Sequence, residues 1–203
     1  SVTEERDLGV IIHQSLKSSS QCVKAVKSAN ATLGMIKRTF ITRNKTTLLQ
    51  LYKTLVRPKL EYCVQAWRPF LQRDIELLEK VQRRATRMMV ENKTLSYEER
   101  LKSLHLTTLE TRRLRGDLIE VFKILKNMEG TDSNLYFKLS STGLRGHSLK
   151  LYKQEARLDV RKYFFSHRVV DIWNALPEWV IGSNNVENFK IKLDLYLHNR
   201  GYL

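Results

Sequence analysis

Residues that cross-link a chain or break its helices are scarce in this sequence. Its 203 residues include only 2 cysteines, 3 prolines and 8 glycines. Cys22 and Cys63 lie far apart and have no neighbours at ligand spacing, which excludes a disulfide framework and a cysteine-based zinc site. Both fall among apolar positions with helical spacing, so we expect two buried free thiols. The scarcity of proline and glycine leaves room for long helices.

Long apolar stretches and catalytic motifs are also missing. No run approaches the ~18 apolar residues that a membrane-spanning helix needs, and we therefore expect no membrane partner. None of the 5 histidines belongs to an H-E-x-x-H pair, and no G-x-x-x-x-G-K or G-x-G-x-x-G loop occurs. The aspartates are scattered, whereas two-metal phosphoryl transfer needs clustered carboxylates. The sequence thus predicts no catalytic residues, no metal site and no cofactor in this chain.

What the sequence has in excess is positive charge. The 36 Lys and Arg against 21 Asp and Glu give a formal net charge of +15. Such an excess destabilises a compact chain by self-repulsion unless a polyanion or salt neutralises it. Nucleic acid is the commonest polyanionic partner, and an anionic membrane surface is the next. Between Lys24 and Lys93 there are 16 Lys and Arg against 5 Asp and Glu, so this segment holds most of the excess.

Apolar residues at spacings of three and four predict a mainly α fold with short β segments. The β-branched run Leu8–Ile12 predicts a strand and a turn near the N-terminus. Leu135–Leu139 and Ser148–Tyr152 predict short strands near residue 150. The first helix is expected from Gln21 to Phe40, and its apolar stripe consists of Cys22, Val26, Ala29, Leu33, Ile36 and Phe40.

Capping and helix-breaking residues set the expected ends of the other helices. Asn44 or Thr42 can cap the second helix, which Pro58 should kink or end. The third helix is expected over about Gln72–Val90. The remaining signals are the capping boxes of Ser96 with Glu99 and of Thr107 with Glu110, a glycine stop at Gly130 and a cap at Ser166.

These signals divide the chain into three expected parts. Residues 1–19 form an N-terminal segment that contains a β-strand, and residues 20–95 form a helical bundle. Residues 96–203 form a C-terminal helical domain with an internal loop at 130–147, where Ser, Thr, Gly and Asn accumulate.

The third helix combines a buried stripe with a cationic side. Arg83, Arg84 and Arg87 are offset from the stripe and stand about one turn apart, so their guanidinium groups can reach adjacent phosphates. The alternative is a solvated face on which Glu76 and Glu79 pair with the cations four positions later, which leaves Arg84 and Arg87 unpaired. The expected buried stripe consists of Ile75, Leu78, Val81, Ala85 and either Met88 or Met89.

A second arginine cluster opens the long helix that follows. Arg112, Arg113 and Arg115 lie in its first turns, where cations oppose the helix dipole. Two interpretations remain open: presentation to an anionic ligand, or pairing with Glu110 or Asp117. The predicted nucleic-acid-binding residues are Lys24, Lys27, Lys37, Arg38, Arg43, Lys45, Arg73, Arg83, Arg84, Arg87, Arg112, Arg113 and Arg115.

Aromatic side chains are a further candidate for nucleic-acid contact. The three tryptophans and the eight tyrosines could stack on bases. Trp67 and Trp173 fall on apolar periods, which favours the core for both. Trp179 follows Pro177 and is open to either role.

Several segments, in order along nearly the whole chain, match one known family. They are Asp7–Val10, Leu51–Tyr62 followed by Trp67, Leu78–Met88, Ser96–Leu101, Arg112–Leu118, Arg145–His147, and Asp159–Phe165 continuing through Val170 to Pro177. Together they resemble the region downstream of the palm in non-LTR (LINE-type) retrotransposon reverse transcriptases, the jockey and chicken-repeat group in particular. Each motif alone is weak, and their number and order make the resemblance specific.

The resemblance implies a piece of an RNA-directed DNA polymerase. Residues 1–19 would be a remnant of the palm edge, residues 20–95 the thumb, and residues 96–203 the C-terminal region. The family's polymerase aspartates lie upstream of the match to Asp7 and have no counterpart here, so the chain alone is not expected to be an enzyme. Its expected partners are RNA or an RNA–DNA duplex and the palm itself. An intracellular location, nuclear or in a cytoplasmic ribonucleoprotein, is expected.

Two other interpretations fit the same sequence. The apolar helix faces could belong to a protein–protein interaction module, or the chain could be a mobile-element remnant without a present role. Strong salt-dependent retention by a polyanion would favour nucleic-acid binding, whereas a large exposed apolar patch would favour protein docking.

Overall fold

A computed structural model describes residues 3–40, 44–141 and 146–201. The expected mainly α fold is confirmed, with one two-stranded antiparallel sheet near the N-terminus. The expected cap Thr42, the candidate cation Arg43 and part of the 130–147 loop lie outside the described residues. The elements are β1 (Glu4–Asp7), β2 (Val10–His13), α1 (Ser19–Thr39), α2 (Lys45–Leu51), α3 (Arg57–Glu61), α4 (Val64–Trp67), α5 (Gln72–Met89), α6 (Tyr97–Ser103), α7 (Leu109–Leu125), α8 (Asp159–Lys162), α9 (Phe165–Arg168), α10 (Val170–Asn174), α11 (Glu178–Ile181) and α12 (Val186–Asn199).

The N-terminal strands form a hairpin with a two-residue turn. Leu8 and Gly9 both have positive φ, 43° and 89°, as the favoured turn for a right-twisted hairpin requires. Glycine takes this conformation without steric cost, whereas Leu8 is strained. The Tyr62 hydroxyl donates a hydrogen bond to the Leu8 carbonyl at 3.0 Å. The hairpin is therefore held at its turn as well as along its ladder.

Helices α1 and α5 pack against each other and run parallel. The Ser19 hydroxyl donates to Asp74 at 2.6 Å, and Arg84 donates to Asn30 at 3.0 Å. The two contacts join residues 55 and 54 positions apart, so both helices advance in the same direction. The predicted stripe of α1 is buried at Cys22, Val26, Ala29, Leu33 and Ile36, whereas Phe40 is exposed.

Pro58 produces a widened turn rather than an end. Asn44 caps α2 by accepting from the Thr47 backbone at 3.1 Å. Residues Tyr52–Val56 then form a π-helical turn, in which the Arg57 amide donates to the Tyr52 carbonyl. Because proline has no amide hydrogen and clashes with the preceding turn, the backbone inserts an extra residue before Pro58 and continues into α3.

The two predicted capping boxes lie at the starts of α6 and α7. The box of Ser96 and Glu99 is present at the start of α6. The expected box of Thr107 and Glu110 is wrong by one residue, because Thr108 is the residue whose hydroxyl accepts from the Thr111 amide at 3.1 Å. The stop at Gly130 is also wrong. Helix α7 ends earlier, at Leu125, because Asn127 adopts the left-handed conformation and closes the helix in a Schellman motif.

The chain forms two compact units, Ser1–Arg113 and Leu114–Leu203. The sequence placed this division between Leu95 and Ser96. The difference arises because α6 and the first turn of α7 contribute to the core of the first unit, through Leu101, Leu104, Leu106 and Leu109.

The second unit has its own core and its own short ladder. Trp173, Phe122 and Phe189 are fully buried in it, and the rings of Phe122 and Phe189 stack with centroids 4.2 Å apart. The expected strands near residue 150 meet only as an isolated antiparallel bridge, Leu139 with Leu151. The expected cap at Ser166 is wrong, because two short helices replace the single predicted one and Ser166 lies inside α9.

Candidate nucleic-acid interface

Helix α5 has a buried side and a cationic side, as predicted. Leu78, Val81 and Ala85 are buried, with Ile75 and Met88 half-buried beside them. Arg83, Arg84 and Arg87 are exposed, as is Lys80. The helical period of 3.6 residues accounts for this separation, since Lys80, Arg84 and Arg87 recur at four and three positions along one face.

Helix α1 contributes cations without any acidic residue. Lys27, Lys37 and Arg38 are exposed, and the sequence of α1 contains no Asp or Glu. Asn30 shares a face with Lys27 and Lys37 at spacings of three and seven.

The contact between Asn30 and Arg84 brings these two cationic faces together. Because the helices run parallel in this register, the exposed cations of both follow one surface toward the same end. Acidic residues of α5 are confined to its first half, at Asp74, Glu76 and Glu79. We define the α1–α5 surface by Lys27, Asn30, Lys37, Arg38, Lys80, Arg84 and Arg87.

Helix dipoles account for only part of this arrangement. Lys37, Arg38 and Arg87 lie in last turns, where each cation stabilises its own helix by roughly 0.3–1 kcal/mol. Lys27 and Arg84 lie outside the last turns and gain little from the dipole. Arg84 uses one of its five donors on Asn30, which positions the guanidinium group and leaves other donors for a ligand.

Four other predicted cations are held by contacts within the first unit. Arg73 lies 3.4 Å from the Ser19 hydroxyl and 3.8 Å from Asp74. The Arg83 guanidinium lies over the Tyr97 ring, 4.1 Å from its centroid. The ammonium group of Lys24 donates a hydrogen bond to the Gly9 carbonyl at 2.5 Å, and that of Lys45 donates to the Ser103 carbonyl at 2.8 Å.

Two of the three arginines that open α7 are paired, and not with Glu110 or Asp117. Arg112 makes two hydrogen bonds to Glu61, at 2.5 and 3.1 Å. In the second unit, Arg115 makes two to Asp194, at 2.5 and 2.9 Å. Glu61 and Asp194 are distant in sequence, so neither Glu110 nor Asp117 could have indicated these pairs. Both arginines are corrected from ligand contact to structural pairing, because their planar donors are already matched to carboxylates.

Arg113 is buried, which corrects its prediction as a surface cation. It is 2% exposed, and neither of its Nη atoms has a hydrogen-bond partner among the residues that the structure describes. Burial lowers the pKa of Arg113, and the nearby charge of Glu79 opposes that effect. A guanidinium group in this position cannot contact a phosphate without rearrangement of the core.

Glu79 is the centre of a buried polar network. It accepts hydrogen bonds from the Tyr97 hydroxyl and from the Leu109 amide, the latter at 3.1 Å. Gln82 adds a bond at 3.2 Å and itself accepts from Tyr52 at 2.6 Å. Burial raises the pKa of Glu79. The network joins α5 to α6 and to the start of α7, so Glu79 has an interior role rather than the surface pairing with Arg83 of the alternative interpretation.

The tryptophans and cysteines differ in burial, and the predictions for them differ in outcome. Trp67 and Trp173 are in the core, 5% and 0% exposed, as expected, and Trp179 is 47% exposed. Cys22 is buried, which raises the pKa of its thiol to about 12. The expectation for Cys63 is wrong, because that residue is exposed at a left-handed position before α4.

Sequence reasoning missed two residues of the α1–α5 surface. The sequence accounts for Lys80 by the alternative interpretation, in which it pairs with Glu76, and it gives no signal for Asn30. The spacing of Lys80 from Arg84 and Arg87 could have indicated the former, whereas the role of Asn30 depends on the packing of α1 against α5.

Within the described ranges, no group of three or more His, Cys, Asp or Glu side chains could hold a metal ion. None of the described helices has the length and apolar character needed to cross a membrane. Comparison with known proteins gives no match: no family model fits the chain, and no curated protein and no solved structure is significantly similar to it.

Proposed function

We propose that this chain binds a nucleic-acid duplex, RNA or RNA–DNA, through its phosphate backbone, and that the α1–α5 surface is the contact. The supporting observation is that six exposed cations share one surface of two parallel helices, of which α1 contains no acidic residue and α5 contains none after Glu79. Phosphate contacts position a duplex without reading its bases, so the binding should depend little on sequence.

The test of this proposal is the salt dependence of binding. If the surface contacts about six phosphates, log affinity against log salt concentration should have a slope near −5, and affinity should fall about a thousandfold between about 50 and 200 mM salt. Fluorescence anisotropy with a labelled duplex measures both. A slope near zero would mean that the charge makes no phosphate contacts.

A matched pair of charge variants assigns the contact to the surface. Arg84→Ala with Arg87→Ala should weaken duplex binding equally for different sequences and reduce the magnitude of the slope by nearly two, about 0.9 for each phosphate that is no longer neutralised. Arg157→Ala with Arg200→Ala removes the same charge from exposed positions of the second unit. The control should retain the full slope. An equal weakening in the two variants would indicate a non-specific effect of net charge.

We further propose that the chain is the thumb and C-terminal region of a non-LTR retrotransposon reverse transcriptase, acting inside the cell. The resemblance of its ordered motifs supports this, and the duplex would then be template and primer. The catalytic aspartates would belong to a palm outside this chain. The purified chain should therefore extend no primer with Mg²⁺ or Mn²⁺. Template-dependent incorporation that is abolished by substitutions in this chain would contradict the proposal.

Protein docking is the second candidate, supported by exposed apolar residues near the hairpin. Leu8 is 83% exposed, and Leu16 and Tyr62 are each 59% exposed. In that case heparin would release the chain at low salt, and Leu8→Asp would abolish a concentration-dependent association that Arg84→Ala with Arg87→Ala leaves intact.

A further inference from the structure

The second unit contains a pocket beside the bridge between Leu139 and Leu151. Its volume is about 150 Å³, and its lining includes Tyr136, Lys138, Tyr152, Gln154, Arg161 and Ser166. This volume is well below the roughly 300–1,000 Å³ of pockets for drug-sized ligands. A single planar ring with a small substituent is the size of ligand that it can accept.

The pairing of two backbone segments places aromatic and cationic side chains on one face of this ladder. The Tyr152 amide donates to the Lys138 carbonyl at 2.7 Å, and the Ser140 amide donates to the Lys150 carbonyl at 2.8 Å. Side chains alternate between the faces of such a ladder. Phe137 is buried on the inner side, so Lys138 faces outward, and Tyr152 lies directly opposite Lys138. Tyr136 lies just before the ladder, at the end of a 3-10 turn, and its side chain is 41% exposed beside the same pocket.

The walls of the pocket are fixed by contacts on the neighbouring helices. The imidazole of His167 in α9 lies 2.7 Å from the Gln154 carbonyl. Arg161 of α8 donates to the Gln154 side chain at 3.3 Å and lies over the ring of Phe164, 5.8 Å from its centroid. The exposed rings of Tyr136 and Tyr152 therefore stand beside a wall that is already positioned.

The charge of the pocket favours an anionic ligand. Lys138 and Arg161 are its charged lining residues, and both are cations. Of the described acidic residues near the lining in sequence, Asp132 accepts from the Asn134 amide at 2.9 Å and Asp171 pairs with Lys153, whereas Glu155 and Asp159 are exposed. Gln154 and Ser166 add an amide and a hydroxyl that can form hydrogen bonds with the edge of a ring.

We propose that this pocket binds one base of a single-stranded nucleic acid. The base stacks on Tyr136 or Tyr152, and a flanking phosphate lies between Lys138 and Arg161. Stacking on exposed aromatic rings with cationic contacts to the backbone is the physical basis of single-strand binding, since a duplex keeps its bases within the stack. This site is separate from the α1–α5 surface and does not depend on duplex binding there.

The test uses the whole chain with Arg84→Ala and Arg87→Ala, so that the α1–α5 surface contributes less to binding. The probe is a labelled single-stranded RNA of about ten nucleotides, which lies within the roughly 4–16 nucleotides that one OB fold covers in single-strand-binding proteins. Adding Tyr136→Ala with Tyr152→Ala should lower its affinity on the order of tenfold, the effect of one stacked base. Tyr136→Phe with Tyr152→Phe is the matched control and should retain affinity, because the rings remain.

Three further measurements distinguish the ligand. Duplex binding by the chain with Arg84 and Arg87 intact should be unchanged by the tyrosine substitutions. A free nucleoside monophosphate should compete weakly if the pocket takes base and phosphate, and Lys138→Gln with Arg161→Gln should weaken both RNA and nucleotide. Two outcomes would overturn the proposal: single-strand affinity that is insensitive to loss of both rings, or an acidic peptide that binds through these tyrosines while RNA does not.

Discussion

Three arginines of α5 and three arginines of α7 have the same formal charge at similar spacing, yet their surroundings differ. Arg84 and Arg87 are exposed on α5, and the neighbouring helix α1 contributes the neutral side chain of Asn30 as a hydrogen-bond acceptor for Arg84. Arg112 and Arg115 each meet a carboxylate from a distant helix, and Arg113 is enclosed in the core. The role of a cation thus depends on what packs against its helix. Substitutions in the two helices should therefore have opposite effects on stability and binding.

The largest expected effect is on the buried side of α5. Leu78 is fully buried, so Leu78→Ala should lower the free energy of unfolding by about 2–5 kcal/mol by leaving a cavity. Arg84→Ala with Arg87→Ala should change it by no more than about 0.5 kcal/mol each, because both residues are exposed. Denaturant unfolding followed by circular dichroism measures both. If the arginine pair lowers stability by several kcal/mol while duplex binding survives, the assigned surface is wrong.

A smaller loss of stability is expected in the first turn of α7. Arg112→Ala removes two charge-assisted hydrogen bonds to Glu61 and should lower the free energy of unfolding by about 1–3 kcal/mol. Duplex affinity should stay the same, in contrast to the α5 variants. Glu61→Ala, combined with it in a double-mutant cycle, isolates the energy of the pair. Unchanged stability together with weaker duplex binding would return Arg112 to the candidate interface.

Two buried arginines sharpen the comparison further. Arg113→Met should leave stability unchanged or raise it by about 1 kcal/mol, because both Nη atoms lack partners within the described part of the chain and an apolar side chain can fill the space. Arg100→Met is the matched control. Arg100 is also buried, but it donates to the Leu95 carbonyl at 2.6 Å and to Thr86 at 3.3 Å, so its replacement should be destabilising. Equal destabilisation in both variants would mean that Arg113 has partners in solution.

The smallest expected effect is a pH dependence at Glu79. Because burial raises its pKa in the folded state, the unfolded chain releases this proton at a lower pH than the folded chain does. This contribution to stability is thus present below the ordinary carboxyl range and is lost as pH rises through the folded pKa. Glu79→Gln cannot titrate, so the melting temperature of the wild type minus that of the variant should fall as pH rises from about 4. A difference that rises with pH would show that the folded state lowers this pKa instead.

Local signals in the sequence were sufficient for much of the helical architecture. The stripe of α1, the bounds of α5 to within one residue, and the caps at Asn44 and Ser96 follow from residues within one or two turns of each other. The sequence was less reliable where two neighbouring residues could each cap or end the same helix. Thr107 and Thr108 are adjacent candidates for one cap, and Asn127 ends α7 before Gly130 can. In both cases neighbouring residues satisfy nearly the same rule, and small differences in packing select between them.

Positive charge, helical periodicity and the exposed side of α5 were determined by the sequence, because they depend on composition and on the fixed geometry of a helix. The tertiary structure decided which cations remain available to a ligand. Glu61 and Asp194 reach their arginines only after folding, and Glu79 turns inward because Leu109 and Tyr97 supply donors there. Such partners are distant along the chain and close in space, and no local spacing records them.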